Sequence, residues 1–371
     1  MRKGLQGPAN PPADRKDREK QVLNTMNDSH EPEVMRRRRI RAAAVYAACL
    51  VLLAAAFVSG INAGSVPIAL SRILQILAGG ETGTTEADII MKIRLPRTLT
   101  AAILGGGLAV SGFLLQTFFA NPIAGPYILG ISSGAKLFVA LLMIGMMGQA
   151  YRLSSLSMVG AALIGALLVT GAILLLARHL RQMSSLLVAG IMVGYICSAV
   201  TEFLVTFADD SNIVNLHGWS QGSFSGADWN TVGMAAGIIF PAVCAAFLLS
   251  KPMHAFQLGE NYARSMGVDI RRFRMALVLL SGVLSACVAA LAGPISFVGI
   301  AAPYLARQSL GTSKPMLVIP GCFLEGAVFC VICDQIARCA FAPTELNIST
   351  VTAFFGAPVV IWMMVQRKHR E

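Results

Sequence analysis

Charge is scarce in this sequence. Lys, Arg, Asp and Glu make up 13% of its 371 residues, about half the share of an ordinary soluble domain. So few charges cannot clothe the water-facing surface of a chain this long, which argues against a soluble enzyme, a coiled coil and a disordered protein. The phosphate loop G-x-x-x-x-G-K-[ST] is absent, so the chain has no recognisable ATP site of its own. Cys330-x-x-Cys333 has no second Cys/His pair at ligand spacing. The eight cysteines fall almost entirely within apolar stretches, where a thiol packs as a small hydrophobe. Neither a metal site nor a disulfide framework is expected. No short apolar core stands near the start, as a secretory signal would require.

Hydrophobic residues make up 55% of the chain, and they are gathered in long runs. A bilayer core takes roughly 20 apolar residues per helix. The charge-free runs predict an all-α integral membrane protein of about ten helices, at about 42–60, 98–118, 126–147, 156–177, 186–207, 232–250, 274–292, 300–311, 316–337 and 349–366. The eighth is short enough to be a half-helix, which a bilayer tolerates only inside protein. Asn121-Pro122, Gly125-Pro126 and Gly293-Pro294 supply breaks. Between the first two spans, Ser65 is placed to cap a surface helix. Its apolar face would hold Val66, Ala69, Leu70, Ile73, Leu74 and Leu77, with Gly79-Gly80 at its end.

Residues 1–41 hold 11 of the 30 Lys and Arg against 6 Asp and Glu and read as a basic, disordered cytoplasmic tail. With ten crossings both termini share one side. Placing them in the cytoplasm puts 23 basic residues inside and six outside, as the positive-inside bias requires. Nucleic acid is not an expected partner, because nothing beyond the tail supports it.

The exceptions to that bias are informative. Arg94, Arg97 and Arg338 fall on the outer side, where guanidinium groups either grip carboxylates of a docking protein or snorkel to lipid phosphates. Lys136, Glu202, Glu325 and Asp334 lie within apolar spans. Such charges face a bundle interior or a wet cavity, making Lys136, Glu202 and Glu325 pathway candidates. Snorkelling or protonation explains any single one of them as well. Gly105-Gly106-Gly107-x-Ala109-x-x-Gly112 reads as a close-packing helix face. In the inner loop 251–274, residues Leu258 to Gly267 predict a short helix ending at Gly267, with Gly259 and Ala263 forming a small face for a partner.

Taken in order, several motifs resemble the FecCD-type permeases of ABC importers for ferric siderophores, haem and vitamin B12. They begin with Arg94-Leu-Pro-Arg97, Ser111-Gly112, Gln116 and Asn121-Pro122-Ile123-Ala124-Gly125-Pro126. Leu258-Gly259, Ala263-Arg264, Met266-Gly267 and Gly293-Pro294-Ile295-Ser296-Phe297-Val298-Gly299 follow, and Asp334, Arg338, Glu345 and Gly356-Ala357-Pro358 complete the series. The resemblance implies a type II importer permease working with a second copy of itself or a paralogous permease. It also implies two cytoplasmic ATPase subunits that carry ATP and Mg, an external substrate-binding protein, and a bacterial cytoplasmic membrane. Arg94, Arg97 and Arg338 then look like docking arginines. Leu258, Gly259, Ala263, Arg264, Met266 and Gly267 look like a coupling helix at about 256–268. Gly112, Asn121, Pro122, Gly125, Gly293 and Pro294 are structural. The chain would carry no catalytic residue, metal or cofactor of its own. The rival is an ion-driven secondary transporter working through Lys136, Glu202 or Glu325.

Overall fold

A computed structural model describes residues 13–62, 68–77, 83–145, 155–180 and 182–368. The chain divides into two units, Met1–Val45 and Tyr46–Glu371. Helix α1 (Ala13–Asn62) begins in the first, at Ala13, and continues into the second, so it passes through residues that composition assigned to a tail. The other elements lie in the second unit.

These are α2 (Leu70–Leu77), α3 (Thr85–Asp88), a π-helical turn (Ile89–Arg94), α4 (Leu95–Phe118), α5 (Ile131–Gly145), α6 (Ser155–His179), α7 (Met183–Val205) and α8 (Asp210–Ser220). They continue as α9 (Trp229–Leu248), α10 (Ser250–Gln257), α11 (Glu260–Ser265), α12 (Ile270–Ala292), α13 (Val298–Leu310), α14 (Pro315–Cys339) and α15 (Ile348–Lys368). No strand occurs among the described residues. Eight helices there are long and apolar enough to cross a bilayer. The two remaining expected spans correspond to the shorter α5 and α13. Helix α13 is packed inside the protein along most of its length, which is the setting a half-helix needs.

Helix α4 is the axis of the bundle. Nearly all of it is buried, and α9, α12, α13 and α14 pack around it while α5 joins α6, α7 and α12. Small residues permit this. A Cβ added at Gly105 would fall 2.6 Å from the Gly326 carbonyl oxygen, and one at Gly112 only 1.7 Å from that of Gly299. In lipid, where no hydrophobic force drives helices together, such close approach supplies the packing. Within the core, Ser111 Oγ lies 2.8 Å from Ser281 Oγ and 2.6 Å from Ser285 Oγ, so the hydroxyls satisfy one another between α4 and α12.

The surface helix exists, but its buried face differs from the expected one. Ile73 and Ile76 turn inward against Ile61, Ile68, Ala87 and Ile90, and Ala69 is exposed. The pattern of leucines hid Ile76 as the inward residue. Ser65, Val66, Gly79 and Gly80 lie outside the described residues, as do the side chains of Leu70, Leu74 and Leu77. Four elements had no counterpart in the sequence reading: α3, the π turn, α8 and α10.

Candidate functional site

At one end of the bundle the three exceptional arginines converge, but none projects into solvent. Arg94 and Arg97 are 5% and 6% exposed. Arg94 Nη1 donates to the Ile61 and Asn62 carbonyls at 2.7 and 3.1 Å, and Arg338 Nη2 to the Gly60 carbonyl at 3.3 Å. The last carbonyls of a helix lack intrahelical donors, so two guanidinium groups cap the end of α1. Arg97 grips Asp334 through Nε and Nη2, at 3.1 and 2.9 Å to Oδ1. Its Nη1 donates to both Glu345 oxygens at 3.1 Å. Arg338 Nε stands 3.2 Å from Asp334 Oδ2 but out of line for a hydrogen bond. The expectation of outward-reaching cations is therefore corrected. The chain's own carboxylates and carbonyls hold these arginines, because charge in so apolar a setting must be compensated.

One side chain of the cluster is open to a partner. Asp334 is 3% exposed at its side chain, whereas Glu345, on the turn before α15, is 45% exposed. Sequence reading placed Asp334 as a charge within an apolar span, without naming a partner for it. The Asp334/Arg338 spacing of four on one helix was the available signal for the pair. The glycine and proline of the Gly293-Pro294 break serve the same end of the bundle. Gly293 has φ 75° and leaves no room for a Cβ, which would meet the Trp219 carbonyl oxygen at 2.6 Å. The Pro294 carbonyl accepts from Ser349 Oγ at 2.7 Å.

At the opposite end, α11 is a single short helix between two glycines in left-handed conformations, Gly259 at φ 128° and Gly267 at φ 81°. It ends at Ser265, with Met266 as its C-cap and Gly267 just beyond. Asp269 then caps α12 by accepting from the Arg272 amide at 3.1 Å. Leu258 and Met266 are 61% and 64% exposed, and Tyr262 lies between them. Ala263 is fully buried, so the expected Gly259–Ala263 partner face is corrected: Ala263 seats the helix on its own chain. The outward face is Leu258, Tyr262 and Met266. Arg264 pairs with Glu260 at 2.8 Å, and Arg274 shares that carboxylate at 2.7 Å.

Beside α10, at the same end, lies a cavity of about 640 Å³ lined by Gln116, Asn121, Tyr304, Arg307, Gln308 and Gln366 among others, with no acidic residue. Arg307 Nη2 donates to Gln116 Oε1 at 2.5 Å, and the guanidinium lies over the Phe113 ring. Asn121 Oδ1 accepts from the Ile123 amide at 3.0 Å, shaping the Asn121-Pro122 turn. Gly125 makes room for Ile300, which would lie 2.9 Å from an added Cβ. The pathway candidates do not converge. Lys136 is on α5, Glu202 is exposed on α7, and Glu325 on α14 accepts from Ser309 Oγ at 2.5 Å. Among the described residues none of the three forms an ion pair.

Comparison with known proteins matches this arrangement to a defined group. The FecCD transport family matches residues 51–366. The hemin transport system permease protein HmuU of Yersinia pestis is 33% identical over 323 residues, covering 87% of this chain and 95% of its own. The vitamin B12 import system permease protein BtuC of Citrobacter koseri is 36% identical over 311 residues, covering 82% and 93%. Among solved structures, a metal-chelate type ABC transporter in an inward-facing conformation superposes with a TM-score of 0.77 at 25% identity, covering 87% of this chain and 99% of that one.

Proposed function

This chain belongs to the FecCD transport family of ABC importer permeases, and we propose that it is the membrane-spanning half of an ATP-driven importer for a ferric siderophore or a related metal chelate. Haem or cobalamin is the alternative cargo, following the relatives' names. The observation that carries the reading is the outward face of α11. Leu258, Tyr262 and Met266 stand exposed on a helix fixed by two glycines, and an apolar face on a polar end of the molecule calls for a partner. That partner is a cytoplasmic ATPase subunit, which carries ATP and Mg. The end bearing α11 is the cytoplasmic one, and both termini lie on it.

The chain catalyses no covalent step. Closure of the ATPase subunits on ATP pushes α11. Because Ala263 seats it against the body, the push reaches α12 and biases the pathway between inward and outward access. At the other end a substrate-binding protein docks by carboxylate exchange. Its acidic side chain takes the place of Glu345 on Arg97, while Asp334 keeps the guanidinium oriented. The pathway forms between this chain and a second permease, whose contact would cover apolar faces such as Phe354, Ile361 and Trp362 of α15.

Growth of a deletion strain under iron limitation on single ferric chelates or hemin, and of the same deletion in a cobalamin-dependent strain on limiting cobalamin, identifies the cargo. The reading expects loss of growth on a ferric siderophore alone. Loss confined to hemin or cobalamin would replace the cargo assignment, and growth on every compound would contradict an import role.

A further inference from the structure

A second cavity, of about 420 Å³, lies between the ends of α6 and α7 and the start of α12, beside α11. Four arginines line it, Arg178, Arg264, Arg271 and Arg274, against the single carboxylate of Glu260. Arg264 and Arg274 divide Glu260 between them at 2.8 and 2.7 Å. Among the described residues Arg178 and Arg271 have no hydrogen-bond or ion-pair partner. Arg274 Nε is shut away from solvent with no acceptor, although a buried donor of a charged group normally finds one. The cavity therefore holds more positive charge and more donors than the chain itself satisfies.

Its surroundings indicate what satisfies them. One helical turn from Arg178 and Arg271 toward the middle of their spans, Leu175 and Met275 are exposed, and Leu279 follows a turn later. Guanidinium groups lie at the level where a polar loop meets apolar flanks. A ligand with a phosphate at one end and hydrocarbon at the other fits both zones. Basic pockets between membrane helices on the cytoplasmic side take anionic headgroups, each surface guanidinium contributing about a fivefold factor in affinity. Fork-shaped guanidinium donors match phosphate oxygens two at a time.

We propose that this cavity binds the phosphate headgroup of an anionic phospholipid, such as phosphatidylglycerol, next to the helix that contacts the ATPase. The lipid brings acceptors to Arg178 and Arg271 and holds α6, α7 and α12 together at their ends. The site does not depend on which chelate is carried.

The test uses the purified full-length chain in nanodiscs of phosphatidylcholine doped with phosphatidylglycerol, with retained lipid counted by native mass spectrometry. The wild type should retain phosphatidylglycerol over phosphatidylcholine by about twenty-five-fold or more. The double variant R178Q/R271Q should lose about twentyfold or more of that preference. Its unfolding midpoint in pure phosphatidylcholine should stay at the wild-type value, and R178K/R271K should recover most of the preference. Equal retention of the two lipids by the wild type would overturn the proposal, as would an unchanged preference in R178Q/R271Q. Displacement of the lipid by millimolar inorganic phosphate would assign the cavity to a soluble anion instead. Loss of ATPase co-purification in the double variant with lipid preference intact would assign it to the partner protein. Either result overturns the lipid assignment.

Discussion

Arg97 on α4 and Asp334 on α14, 237 residues apart, meet through two guanidinium nitrogens and are both almost wholly buried. Removing one partner of such a pair leaves an uncompensated charge, at a cost of about 3–5 kcal/mol. Asp334→Ala leaves Arg97 with Glu345 as its one carboxylate and takes away the negative charge beside Arg338. Its unfolding midpoint in detergent should drop by many degrees relative to wild type. A wild-type midpoint would mean the pair is not structural.

Glu345 touches the same guanidinium from the open side. Glu345→Gln removes the internal competitor, so a purified binding protein should dock several-fold more tightly, read as a lower Kd by surface binding at low salt. Stability should change little, since Glu345 is partly exposed, its amide replacement still accepts from Arg97, and Asp334 keeps the guanidinium's buried charge compensated. Weaker docking in this variant would contradict carboxylate exchange on Arg97.

The membrane spans were legible in the sequence because a bilayer fixes the length and hydropathy of whatever crosses it. The Gly105 to Gly112 face was legible for a similar reason, close approach demanding small residues. The partners of the arginines were not. Pairing of Arg97 with Asp334 and Glu345 depends on α4 and α14 crossing, and a charge count places those residues on one side without saying that they meet. Ala263 misled in the same way. A small residue suits a partner's surface or the chain's own, and only the packing of α11 separates the two.

Gly112→Ala should abolish stable expression in the membrane, because its Cβ would overlap the Gly299 carbonyl oxygen and both backbones would have to part. Gly237→Ala on α9 is the control. Nothing lies within 4 Å of its added Cβ, and the helix gains about 1 kcal/mol of propensity. Membrane-fraction immunoblots and unfolding midpoints distinguish the two. Equal tolerance would contradict the α4–α13 contact.

Met266→Glu and Leu258→Glu place charge on the exposed face of α11 without touching its seat. Co-purification of the ATPase should fall at least tenfold, while expression and unfolding midpoint stay near wild type. Retained ATPase in both variants would show that the partner contacts another surface.

The central claim is that a separate ATPase drives transport through this chain. Proteoliposomes holding the permease, its ATPase and an external binding protein loaded with a radiolabelled ferric hydroxamate siderophore test it most directly. The account predicts uptake only with Mg-ATP on the ATPase side, abolished when the ATPase is omitted and indifferent to a proton or sodium gradient. Uptake by the permease alone, driven by an imposed ion gradient without nucleotide, would contradict it.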